Sequence, residues 1–289
     1  MTPRELTAKA NDGVLLHAED RGPQSDPCPV ICLPGLTRNA RDFTAIADVL
    51  ATTGSAGEAM RVLSLDSRGR GRSGRSAPET YTLPQEMADL LAAMDAFKIP
   101  RARFVGTSRG GLLVMLLAMF HPERIDRVVL NDIGPRIEPA GLARIGENVG
   151  TTMRFASFEA LGEALSATQQ TQFPRLRGEQ WVRFARQLAS SDAETGDVVL
   201  DYDEALAAPF RQTNSASEPP DFWPAFDALK QCPVLVLRGA HSDLLSAATV
   251  ESMRRCHRRL GTFVASGEGH APLLWDRASI ETVKRFLAA

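Results

Sequence analysis

Hydrophobic positions in this chain fall into short unbroken runs, and amphipathic stretches separate them. Residues 4–20 alternate loosely around Asn11-Asp12-Gly13, which predicts a hairpin. Val30-Ile31-Cys32-Leu33 is a first apolar run, ended by Pro34-Gly35. Residues 40–52 place Phe43, Ile46, Ala47 and Leu50 on one face and predict a helix. The same rhythm then repeats, with predicted strands at 61–65, 101–105, 127–130, 233–237 and 261–265 and predicted helices at 84–97, 109–120, 247–257 and 276–288. Continuously apolar strands alternating with helices predict an α/β fold, a mostly parallel sheet covered on both faces.

Between residues 136 and 231 the alternation stops, and amphipathic helices and loops are expected. This segment holds ten of the eighteen aromatic residues: Phe155, Phe158, Phe173, Trp181, Phe184, Tyr202, Phe210, Phe222, Trp223 and Phe226. The predicted organisation is a core formed by residues 1–135 and 232–289, interrupted by a helical insertion at 136–231. A length of 289 residues suits one domain carrying such an insertion.

Composition narrows the function classes. The longest apolar run, Leu112 to Phe120, is far shorter than the roughly 20 residues that a spanning helix needs. Thirty-three basic against thirty-five acidic side chains give a net charge of −2, so there is no global reason to bind nucleic acid or an anionic membrane. The four cysteines, Cys28, Cys32, Cys232 and Cys256, show no Cys-x-x-Cys spacing. The N-terminal residues lack the apolar stretch of a signal peptide, and a cytoplasmic protein with reduced thiols is expected.

Two motifs compete for the chemistry. Gly69-Arg70-Gly71-Arg72-Ser73-Gly74 matches a dinucleotide-binding pattern and follows a strand. Such a site needs a helix starting on those glycines, facing the pyrophosphate. Here Ser76-Ala77-Pro78 follows instead, and no acidic residue ends a second strand at the required distance, so a structural loop with solvated or ion-paired arginines is expected.

Gly106-Thr107-Ser108-Arg109-Gly110 is the stronger signal. A strand runs into it and an apolar helix runs out, which places Ser108 on a sharp strand-to-helix turn at a helix N-terminus. A serine nucleophile needs a base. Of five histidines, His17 lies in the hairpin, His121 at a helix end, His257 in the basic cluster at 254–259, and His241 in a loop near Asp243. His270, in the loop after the last strand, shares the carboxyl edge with Ser108 and is the predicted base. The base needs a carboxylate, for which Asp243, after the penultimate strand, is the first choice and Asp132 the fallback. The backbone N–H groups of Leu36 and Arg109 are the expected oxyanion donors.

In these pieces, Leu33-Pro34-Gly35-Leu36, the Asp66 to Ser73 loop, Gly106-Thr107-Ser108-Arg109-Gly110-Gly111, Asp243 and Gly269-His270, the chain resembles the α/β-hydrolase superfamily. The likeness covers nearly the whole sequence. It implies that the glycine-rich loop is structural and that the insertion is a cap over the pocket. One departure is Pro34, where the family more often has His before the glycine; the donated amide does not depend on that side chain. A serine nucleophile argues against the haloalkane dehalogenases and epoxide hydrolases of this scaffold, which use Asp.

The expected function is hydrolysis of a small or medium carboxylic ester by acyl transfer to water, without metal or organic cofactor. His241, Trp181 and Trp223 are candidate pocket residues. The alternatives are a lactonase or C–C bond hydrolase with the same triad, or a non-catalytic ligand-binding member of the fold.

Overall fold

The computed structural model describes residues 2–52, 58–151, 153–208 and 220–289. Phe210 lies outside them. The main sheet has eight strands: β1 (Arg4–Lys9), β2 (Leu15–Arg21), β3 (Val30–Leu33), β4 (Val62–Leu65), β5 (Ala102–Thr107), β6 (Ile125–Asn131), β10 (Val234–Gly239) and β11 (Leu260–Ala265). They are arranged β1-β2-β4-β3-β5-β6-β10-β11. The hairpin β1–β2 and the pair β2–β4 are antiparallel, and the remaining pairs are parallel.

The unbroken apolar runs arise because successive side chains of a strand point to opposite faces, and both faces are covered. In β3, Ile31 and Leu33 join one core layer while Val30 and Cys32 join the other. In β10, Val234 and Val236 face the first layer, and Leu235 and Leu237 the second. The first layer is completed by α2 (Leu83–Ala96) and α3 (Arg109–Phe120). The second is completed by α1 (Thr44–Leu50) and the C-terminal helix α9 (Arg277–Ala288). Phe43, fully buried against α1, contributes about 2–3 kcal/mol by the area that it removes from water.

The inserted segment contains α4 (Pro139–Asn148), α5 (Phe158–Gln169) and α6 (Glu179–Leu188). It also contains a small antiparallel sheet that the hydrophobic pattern did not predict: β7 (Arg154–Phe155), β8 (Ala189–Ser191) and β9 (Val198–Leu200), in the order β7-β9-β8. Strands of two or three residues are too short to carry a periodicity.

The helix α7 (Trp223–Ala228), placed in the insertion by sequence, packs with the core: Ala225, Phe226 and Leu229 share a buried cluster with Leu113 and Leu117 of α3. The chain re-enters the core where it left, since Phe222 N–H donates to the Pro135 carbonyl at 2.9 Å. The last core helix to be placed is α8 (Ala247–Cys256). No helix among the described residues is long and apolar enough to cross a membrane.

Candidate active site

Three loops at the carboxyl edge of the parallel strands meet beneath the cap. Ser108 stands between β5 and α3 with φ +50°, a left-handed conformation that a side chain tolerates only where the surroundings hold it. The turn can be this sharp because its flanks lack side chains. A Cβ on Gly106 would stand 2.7 Å from the Gly111 Cα, and one on Gly110 would stand 2.1 Å from the Leu33 carbonyl oxygen.

His270 Nε2 lies 2.9 Å from Ser108 Oγ, and His270 Nδ1 lies 2.8 Å from Asp132 Oδ2. The His270 backbone N–H donates to Gln172 Oε1 of the cap at 3.0 Å. Asp132 is fully buried and accepts two further hydrogen bonds, from Gly239 N–H at 2.8 Å and from Ser242 Oγ at 2.6 Å. Hydroxyl, imidazole and carboxylate in this line can pass a proton from oxygen to nitrogen and steady the resulting imidazolium.

The carboxylate preferred from sequence, Asp243, does not meet His270. It turns to the cap, where Arg144 of α4 donates to it twice, at 2.6 and 2.9 Å. Burial opposes the Asp243 charge, but the hydrogen bonds and charge of Arg144 outweigh it and hold the carboxyl below its ordinary range. Asp243 is paired with Arg144, and Asp132, the fallback, is the carboxylate that meets His270.

Leu36 and Arg109 are both brought to Ser108. Arg109 opens α3, so its N–H has no partner within the helix. Leu36 lines the same cavity as Ser108, and a Cβ on its neighbour Gly35 would stand 3.7 Å from the Ser108 Cβ. The Arg109 side chain pairs with Glu86, Nε to Oε2 at 2.8 Å.

A family model for the α/β hydrolase fold matches residues 29–276. The chain belongs to the α/β hydrolase family. It is 34% identical over 271 residues to the 3-hydroxybutyrate-oligomer hydrolase of Cupriavidus necator, covering 92% of this chain and 90% of that protein. It is also similar to the crystal structure of an α/β hydrolase from Novosphingobium aromaticivorans, with a TM-score of 0.90, 39% identity, and 99% and 98% of the two chains covered. The fold is shared with E-2-(acetamidomethylene)succinate hydrolase at a TM-score of 0.79 and 22% identity, over 99% of this chain and 100% of that one.

In this hydrolase the site opens into a cavity of about 300 Å³ between core and cap. Its walls are largely apolar, with Ile145, Val149, Leu161, Phe173 and Phe184 from the cap and Leu273 and Leu274 from the core. The three pocket residues expected from sequence are elsewhere. Trp181 is buried beside Phe184 in a cluster that joins the inserted segment to Leu273 of the core. Trp223 packs edge-on to Phe226 in α7. His241 is exposed on the loop after β10. Among the described residues no cluster of His, Cys, Asp or Glu could hold a metal ion.

Two supporting side chains escaped sequence reasoning. Asn131 Nδ2 donates to Thr107 Oγ1 at 3.1 Å and to the Pro272 carbonyl at 2.9 Å, tying the serine strand to the histidine loop. Glu268, two residues before His270, accepts from Leu273 N–H at 2.7 Å, and burial pushes its carboxyl up to about 7. The only available signal was proximity to Asp132 and His270.

Two predictions follow from this geometry. Because the atom facing Gly110 is backbone, no side chain can yield, and Gly110→Ala should destabilise the protein by about 3 kcal/mol, read as a lower denaturant midpoint; an unchanged midpoint contradicts the close approach. Glu268 holds its proton more tightly folded than unfolded. Below its ordinary value of 4.5 both states are protonated; as pH rises from there through about 7, the unfolded chain ionises first and stability falls. The loss is at most about 3 kcal/mol. Glu268→Gln, which keeps an acceptor for Leu273, should therefore raise the melting temperature by roughly 4 °C or more at pH 8 and leave it unchanged at pH 4. A shift of equal size at both pH values would contradict this.

Proposed function

We propose that this α/β hydrolase cleaves carboxylic esters by acyl transfer through Ser108, His270 and Asp132. The observation that carries the reading is the unbroken hydrogen-bonded line from Ser108 Oγ through both nitrogens of His270 to the buried Asp132, at the floor of an apolar cavity.

Ser108 Oγ attacks the ester carbonyl carbon while His270 Nε2 takes its proton. Asp132 holds the tautomer with Nδ1–H and stabilises the imidazolium. The carbonyl oxygen becomes an oxyanion between the N–H groups of Leu36 and Arg109. The carbon–oxygen bond breaks, and the alcohol leaves with the proton from His270. Water, deprotonated by the same histidine, then attacks the acyl-serine and releases the acid.

The similarity to the Cupriavidus enzyme, named for 3-hydroxybutyrate oligomers, supports short oligoesters of hydroxy acids as the substrate class. The chemistry is compatible. In such an ester the acyl side carries a free hydroxyl and no charge, while the carboxylate rides on the leaving hydroxy acid. The cavity's two arginines, Arg38 and Arg144, are already occupied by Asp42 and Asp243. That favours an uncharged acyl group over an anionic one.

Hydrolysis of p-nitrophenyl esters of increasing chain length, and of the 3-hydroxybutyrate dimer and trimer, tests the proposal. Turnover should disappear in Ser108→Ala. Asp132→Asn should lower kcat by about 10⁴-fold, because the imidazole loses the partner that sets its tautomer. Asp243→Asn should stay within about threefold of wild type, since its bond is to the cap and not to the histidine. Reversal of the two aspartates would return the role to Asp243. A well-folded wild type inert toward every ester would overturn the ester reading and move the chemistry to a lactone or a C–C bond.

A further inference from the structure

Beneath Ser108 lies a buried carboxylate that the reaction does not use. Glu86, on α2, is 3% exposed. Its Oε1 accepts from Arg70 Nη1 at 2.8 Å and from Arg109 Nη2 at 3.2 Å, and its Oε2 accepts from Arg109 Nε at 2.8 Å. Arg70 in turn donates from Nε to the Leu36 carbonyl at 2.7 Å. Arg109 also donates from Nη2 to the Tyr81 carbonyl at 3.1 Å. A single carboxylate is thus linked through one arginine to the residue on β3's loop and through another to the residue that opens α3. These are the two residues whose N–H groups the acyl-transfer reading assigns to the oxyanion.

We propose that Glu86 is a positioning residue for the oxyanion site, holding Leu36 and Arg109 at a fixed separation through Arg70 and Arg109. The inference rests on the acyl-transfer reading above. Donors to a developing oxyanion help only if they are already aimed at it, because any that must swing into place spend part of their effect on reorganisation. Arg109 is fixed by its helix, but Leu36 sits in a loop outside the sheet, and its carbonyl is anchored by Arg70. Arg70 is itself 1% exposed, and Glu86 is the carboxylate that balances its buried charge, beside the Arg68 carbonyl that also accepts from Nη1 at 2.7 Å.

The same helix supplies a matched control. Asp89, one turn further on, holds Arg68 of the same glycine-rich loop with bonds of 2.6 and 2.6 Å. Arg68 reaches on to Asp12 and touches neither Leu36 nor Arg109. Glu86→Gln and Asp89→Asn therefore both remove a buried charge that pairs α2 with this loop, and only the first acts on the oxyanion residues.

The test compares the two variants with wild type in ester turnover, thermal unfolding and inhibition by a trifluoromethyl ketone of the preferred chain length. The ketone carbon bonds to Ser108 Oγ, the serine proton passes to His270, and the ketone oxygen becomes an oxyanion in the same place as in the reaction. Glu86→Gln should lower kcat by about 10- to 100-fold with KM within about threefold, and weaken the ketone in the same proportion as kcat/KM. Asp89→Asn should keep kcat within about threefold even where its melting temperature falls as far. Equal loss of kcat in both variants, or an unaltered ketone affinity in Glu86→Gln, would overturn the proposal. If Glu86→Gln does not fold, Arg70→Met takes its place, since it removes the link to the Leu36 carbonyl and leaves Glu86 paired with Arg109: a parallel loss of kcat and ketone affinity supports the proposal, and wild-type values of both overturn it. An inert wild type would remove the acyl-transfer reading and this inference with it, whereas an active wild type matched by Glu86→Gln removes the inference alone.

Discussion

The carboxylate of Asp132 is the point on which the site depends. It is fully buried, at a position where φ is +54°, and it accepts from Gly239 N–H, Ser242 Oγ and His270 Nδ1. A charge buried this deeply is tolerable only when its lone pairs are occupied, and charge-assisted bonds of 2.6 to 2.8 Å occupy them here. Each donor comes from a different place: the end of β10, the loop after it, and the loop after β11. Asp132 therefore pins the ends of neighbouring strands together, and the direction of His270 toward Ser108 is a consequence. Ser242 extends the grip, because its Oγ also accepts from Leu244 and Leu245 N–H and so shapes the whole loop that carries Asp243.

That loop explains where the amino-acid sequence was legible and where it was not. Ser108 and His270 could be read because local rules decide them: a strand-to-helix turn between glycines, and a loop following the last parallel strand. Choosing between Asp132 and Asp243 is not local. Both follow strands at the same edge, and their partners come from far along the chain: Arg144 of the insertion pairs with Asp243, while Gly239, Ser242 and His270 meet Asp132. The same limit accounts for the pocket residues. Trp181 and Trp223 were singled out for aromatic character, but large rings are valued equally by a cluster joining insertion and core and by a helix packed on α3, and each went there. Residues that do line the cavity, such as Phe173 and Phe184, carry no different signature in the one-dimensional pattern.

The arginine-rich loop shows how context outweighs a motif. Arg68 and Arg70 are almost wholly buried, and both are paired, with Asp89 and Glu86 of α2. A buried guanidinium needs such a partner, since loss of either side of the pair leaves an uncompensated charge inside the protein. Gly71, where a Cβ would stand 2.4 Å from Asp66 Cγ, allows the chain to wrap the Asp66 carboxylate, which accepts from Ala40 N–H at 2.6 Å and Arg72 N–H at 3.0 Å. The guanidinium groups of Arg68 and Arg70 thus face carboxylates inside the protein and are not presented to a pyrophosphate in solvent. The segment is a clamp between a strand, a helix and the loop of Leu36.

The clamp also seats the cap. Gly71 N–H donates to the Asp201 carbonyl, Asp203 N–H donates to the Gly69 carbonyl, and Tyr81 Oη donates to Asp203 at 2.6 Å. On the far side, Asn39 and Arg41 donate to the Gln187 carbonyl, and Arg183 of the cap stacks on Trp275 at 4.1 Å. With Arg144 on Asp243, these contacts hold the cap over the cavity along several sides. The cavity walls are mostly apolar, so polar groups that face it are less screened than they would be in open water. The hydrogen bonds from His270 to Ser108 and to Asp132 lie at the floor of this cavity, which ties the geometry of the core edge to the packing of the insertion above it.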